Sequence, residues 1–196
     1  LIRRLLTIAH ESSNSWRTRL DVFPFLQIAY FENLFLLSQD TIQAVLHLVL
    51  ELLSDSQVEV REMAATTLSG IVRCSQRSLI TSLRKSFVST VAKTPLPKRG
   101  TPGFDAVLRT LHANILGACA FIDAFPYDVP DWMPELILDT VAVHADDPVP
   151  VSSTIRRCAA NFRRTHQDTW EEEKWKFGSR LQEVNDFALG RCDYFV

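Results

Sequence analysis

Apolar residues recur at intervals of three and four along nearly the whole chain, the spacing that lines one face of a helix. Strand-like alternation is hard to find, and no Gly-rich turn follows a plausible strand. The pattern predicts a helix over about residues 15–37, carrying Leu20, Phe23, Ile28, Phe31, Leu34 and Phe35, with Pro24 kinking or restarting it. Ser38-Gln39-Asp40 reads as a cap for a helix over 41–53. Further helices are predicted over about 57–74, 77–92, 104–125, 135–144 and 151–164. The end of the chain reads as a helix over 169–177, a break at Gly178-Ser179, and a last helix over 180–189. Residues 94–103 hold three prolines and two glycines and cannot continue a helix. Residues 126–134 form a rigid aromatic connector.

A repeat underlies these helices. Asp55-Ser-Gln-Val58-Glu-Val60 precedes one of them and Asp146-Asp-Pro-Val149-Pro-Val151 another, 91 residues on. That is about two units of the 40–47-residue helix-pair repeat class. Downstream positions agree in kind: Ala64 with Ile155, Leu68 with Ala159, Ile71 with Phe162. The Asp is expected to cap its helix and the Val to pack the entry turn. Val58-x-Val60-Arg61-x-x-Ala64-Ala65-x-x-Leu68 resembles the second helix of HEAT repeats, whose small residues let neighbouring helices approach. The expected fold is all-α, an α-solenoid of HEAT-like helix pairs with about seven or eight helices and a C-terminal cap. A plain helical bundle is the alternative.

Composition narrows the function. The 196 residues are 46% hydrophobic and 22% charged, which excludes a disordered chain. A net charge of -2 argues against a general nucleic-acid binder. No run of about 18 apolar residues is present, so no membrane partner is expected. Cys74, Cys119, Cys158 and Cys192 lie far apart with no zinc spacing, as in an intracellular, reduced protein. The chain opens on Leu1 rather than Met, and a fragment of a longer protein is expected.

Catalysis finds no footing in the sequence: there is no HExxH, no P-loop and no GxGxxG, and no metal or other cofactor is called for. His112 and Cys119 share a helix face but lie two turns apart. Glu171-Glu172-Glu173 reads as a solvated helix start. Arg156, Arg157, Arg163 and Arg164 make a basic helix end, either a solvated face or an anion site.

Residues 126–134 (Pro-Tyr-Asp-Val-Pro-Asp-Trp-Met-Pro), Asp147-Pro148, and Asn161-Phe-Arg-Arg-Thr-His166 followed by Trp170 go beyond a generic repeat. Over about residues 95–196 the chain resembles the C-terminal region of the large single-chain HEAT-repeat proteasome activators, the subunit 4 family of animals and the Blm family of yeasts. On that resemblance the chain divides into generic repeats (1–94), a bromodomain-like region (95–190) and a docking tail (191–196), and is expected in nucleus and cytoplasm.

The resemblance implies two binding activities. Family members dock on the α-ring of the proteasome core particle through a hydrophobic–Tyr–any terminus. Here Tyr194-Phe195-Val196 stands there, with Phe195 at the tyrosine position. The lost hydroxyl removes a hydrogen bond worth about 0.5–1.5 kcal/mol, so docking is expected to survive while gate opening weakens. The bromodomain-like region is tied to acetylated core histones, and its Asn-Phe pair falls on Asn161 and Phe162. An Asn amide donates to the acetyl carbonyl and an aromatic wall packs the methyl and stem; Tyr127 and Trp132 are candidate further walls. Phe162 equally falls on the face of Ile155 and Ala159, as a core residue does, and Asn161 equally serves as a structural link; a scaffold that reads no modification remains the other reading. The family also takes inositol phosphates in basic openings, to which the four arginines are candidate contributors.

Overall fold

The computed structural model describes residues 1–11 and 15–188. Among them there are helices and no strands, so the all-α fold class holds. The helices are α1 (Ile2–Glu11), α2 (Trp16–Glu32), α3 (Gln39–Leu52), α4 (Val58–Arg73), α5 (Arg77–Ala92), α6 (Phe104–Asp123), α7 (Met133–Glu135), α8 (Val151–Thr165), α9 (Trp170–Glu173) and α10 (Leu181–Ala188). The chain forms two compact units, Leu1–Ile71 and Val72–Val196.

In the first unit α1 packs on α2 and α3. The hydrophobic pattern did not single out α1, although Ile2, Leu5 and Ala9 bury one stripe of it. Ser15 and Ser38 cap α2 and α3, accepting from the N–H groups of Thr18 and Thr41 at 3.4 and 3.3 Å. Pro24 does not break α2. It lies on the exposed side of the helix. α2 ends at Glu32, short of the expected Leu37, and a 3-10 turn (Leu34–Leu36) follows. Phe35 is 98% exposed.

The turn into α4 is tied to α2 by ionic contacts. Arg19 grips Asp55 with Nε and Nη2 at 2.6 and 3.1 Å, and Asp55 also accepts the Gln57 N–H at 2.8 Å. Burial opposes the charge on Asp55, but the hydrogen bonds and the Arg19 guanidinium hold its carboxyl below the ordinary 3.8. Gln27 donates to Thr67 at 2.8 Å, and a methyl group on Gly70 would sit 2.6 Å from the Phe31 ring. The close approach expected of small residues is seen at Gly70, and Ala64 is fully buried.

In the second unit α6 packs between α5 and α8. Its buried residues run from Leu111 to Ile122 on nearly every side. A methyl group on Gly117 would lie 2.3 Å from Phe87, so glycine is what admits that ring. The helical path of α7 continues as a π turn (Leu136–Val141) and a 3-10 turn (Ala142–His144). Leu136, Ile137 and Leu138 are all buried, because α5, α6 and α10 contact this segment.

The 91-residue register survives as burial: Val60 with Val151, Ala64 with Ile155, Leu68 with Ala159 and Ile71 with Phe162 are all core pairs. The capping role does not repeat. Asp55 accepts from the turn before α4, whereas α8 starts after Pro150 with no side-chain cap, and Asp147 instead bonds His144 at 2.6 Å.

Candidate functional site

The candidate residues lie on α8, whose apolar stripe (Val151, Ile155, Cys158, Ala159, Phe162) faces the core. Neighbours in sequence stand about 100° apart on a helix. Asn161 and Phe162 therefore leave α8 toward different surroundings.

Phe162 is 2% exposed. Its ring stacks on His166 with centroids 4.2 Å apart and meets Trp170 and Phe177 edge-on at 6.2 and 6.4 Å. His166 is itself buried, and its ring nitrogens face the carbonyl oxygens of Phe162 (3.0 Å) and Asp128 (3.3 Å). Phe162 lies at the base of an open cleft of about 240 Å3 between the end of α8, α9 and α10. Trp170, Asn185, Ala188, Arg163 and Gln167 complete it with His166.

Asn161 does not line that cleft. Its amide donates to Asp123 Oδ1 at 2.5 Å, and its carbonyl accepts from Arg164 Nη2 at 2.7 Å. Burial pushes the Asp123 carboxyl up, against the Asn161 hydrogen bond and the charges of Arg157, Arg164 and Arg73. Arg73 also donates to the carbonyls of Asp123 and Ala124 at the end of α6, both at 3.2 Å. Asn161 is thus the polar link between α8 and the C-terminus of α6.

The four arginines separate in the same way. Arg156, Arg163 and Arg164 border a second, shallower basin of about 360 Å3 with Ala160 and Gln167. Arg157 lies on the Asp123 side. Arg163 belongs to both clefts.

The connector before α7 is fixed from both ends. Trp132 meets Phe121 and Phe125 edge-on at 6.2 and 5.4 Å, with the Arg84 guanidinium 5.1 Å over its ring. Lys176 donates to the Val129 carbonyl at 2.7 Å and pairs with Glu173 at 2.5 Å, while Glu173 accepts the Val129 N–H at 3.3 Å. That Lys176 hydrogen bond holds the Glu173 carboxyl below its ordinary value. Trp132 therefore packs beside α6, Tyr127 points outward at 68% exposure, and neither walls the Phe162 cleft. Trp170 does. The spacing Phe162, His166, Trp170 carries that signal; nothing in the sequence near Asn185 announces its part. His112 and Cys119 also separate: His112 Nε2 lies 2.9 Å from Thr154 Oγ1, while the neighbouring Cys119 thiol and burial push the Cys158 thiol up. Tyr194, Phe195 and Val196 lie outside the described residues.

Comparison with known proteins gives these residues a family. Residues 108–196 match the family model described as proteasome activator complex subunit 4-like, C-terminal. The chain is 40% identical, over 98% of its length, to proteasome activator complex subunit 4B of Danio rerio, covering 11% of that protein. It is 40% identical over 93% of its length to proteasome activator complex subunit 4 of Xenopus laevis, and 39% over 93% to that of Bos taurus, covering 10% of each. The chain thus spans about a tenth of the length of the curated relatives it matches. Residues 108–196, which carry α8 and its clefts, match the proteasome activator complex subunit 4-like C-terminal family, and nearly the whole chain is similar to subunits of that name.

Proposed function

We propose that this chain serves as the C-terminal helical part of a proteasome activator and acts by binding. In this reading the tail, Tyr194-Phe195-Val196, docks on the α-ring of the proteasome core particle, and the region around α8 receives acetylated lysine from core histones, in nucleus and cytoplasm. The observation that carries the activator reading is the 40% identity, across nearly the whole chain, to proteins named as proteasome activator subunits. The aromatic cleft beside Phe162 and Trp170 supports the acetyl-lysine reading, since a flat apolar wall suits a neutral acyl stem. Arg156, Arg163 and Arg164 offer charge-assisted donors to an inositol phosphate on the neighbouring basin.

Calorimetric titration of the chain with acetylated and unmodified histone-tail peptides tests the reader. Heat that requires the acetyl group supports it; equal heats, or none, refute it. Co-sedimentation with proteasome core particles tests docking, and binding that survives deletion of residues 194–196 refutes the tail's role. One observation favours a scaffold without a reader: Phe162 fills the position that Ile71 fills in α4, and both are core.

A further inference from the structure

Among the described residues Asn161 does not line the cleft beside Phe162, so a reader built on that cleft needs another donor for the acyl carbonyl. The geometry points to Asn185 as that donor, on α10, with Trp170 as the wall for the acyl stem and the buried Phe162 ring beneath it. This inference rests on the acetyl-lysine reading proposed above.

Three observations carry it. First, Asn161 already spends its amide on Asp123 and its carbonyl on Arg164. Turning it toward the Phe162 cleft would break both bonds and take one donor from the half-buried Asp123 carboxyl. Second, Asn185 lines the cleft, is half-buried, and has no hydrogen-bond partner among the described residues. It stands on a helix that packs against α8, so its position is set by the fold rather than by the ligand. The other amide on the cleft, Gln167, is exposed beyond the end of α8 and would lose more side-chain freedom on binding. Third, the charge of the cleft selects the neutral form of lysine. Arg163 lies on its rim, and no Asp or Glu among the described residues lines it. An unmodified ammonium would meet a like charge and no counter-charge, whereas acetylation removes that charge and supplies a carbonyl that Asn185 can reach as donor.

The test is a titration of the full 196-residue chain and its variants with one lysine peptide in acetylated and unmodified forms. Asn185→Ala is expected to weaken the acetylated peptide between about threefold and about tenfold, the worth of one hydrogen bond. Asn185→Asp, of the same shape, removes the donor and adds a negative charge. It is expected to lose the acetylated peptide and to gain affinity for the unmodified one. Neither variant removes a hydrogen bond within the described fold, so unchanged thermal unfolding is the control. If the acetylated peptide binds the wild type, survives both Asn185 variants and is lost in Asn161→Ala or Gln167→Ala, the assignment to Asn185 is overturned while the reader stands. If the wild type does not prefer the acetylated peptide at all, the reader and the assignment fall together.

Discussion

Truncating Phe162 to alanine separates packing from recognition, and its cost follows from the surroundings of the ring. Phe162 is 2% exposed and lies against His166, Trp170 and Phe177. Phe→Ala in a core costs about 3–5 kcal/mol. His166, itself buried and stacked on the ring, resists moving in to fill the gap. The vacated space, however, opens onto the adjoining cleft and takes up water, which places the cost near the lower end, about 3 kcal/mol. At about 2–4 °C per kcal/mol for a chain of this size, Tm falls by about 6–12 °C. Urea unfolding followed by circular dichroism, with and without the substitution, reads the difference. A loss under about 1 kcal/mol would refute the claim that this ring is structural. Phe162→Leu keeps most of the volume and is expected to cost about 1 kcal/mol. It is therefore the variant in which peptide binding can be interpreted, because a lost signal in Phe162→Ala would mix unfolding with recognition.

Gly117→Ala forces a methyl group into the Phe87 ring and is expected to destabilise the chain by about 1–3 kcal/mol in the same urea assay, although alanine is the better helix former. The lowered Asp55 carboxyl gives stability that is complete above about pH 4 and is lost as pH falls through its folded value. Asp55→Asn should therefore flatten the acid limb of a Tm-against-pH profile below about pH 4, and a limb of unchanged slope would remove Asp55 from the account. Lys176→Met takes away the donor to the Val129 carbonyl and the cation beside Glu173. Faster amide hydrogen exchange at residues 127–129 is expected, with α6 unchanged.

Helices with one buried face and a clear stop were readable from the chain itself. α5 runs over Arg77–Ala92 and α8 starts at Val151, as the spacing predicts. α1 escaped because its stripe is only Ile2, Leu5 and Ala9, with arginines between them. The end of α2 escaped because Leu34 and Leu36 continue the apolar spacing while the backbone tightens into a 3-10 turn. The offset between α4 and α8 told the burial of Phe162 through its match to Ile71, but said nothing of the cleft beside it. That cleft is a product of tertiary packing: α10 brings Asn185 and Ala188 against residues some twenty positions earlier. Asn161 was legible as a polar residue next to a core aromatic, but its partner Asp123 lies 38 residues away on α6. A linear motif cannot show which side of a helix a side chain takes when its partner is that remote.

The most direct measurement is an amide and side-chain NMR titration of this chain with an acetylated lysine peptide. The account predicts that the Trp170 indole N–H and the Asn185 side-chain amide shift together and saturate with the peptide, while the Asn161 amide on Asp123 stays in place. Shifts centred on Asn161 and Asp123, or no shift at Trp170 and Asn185 at saturating peptide, would contradict it.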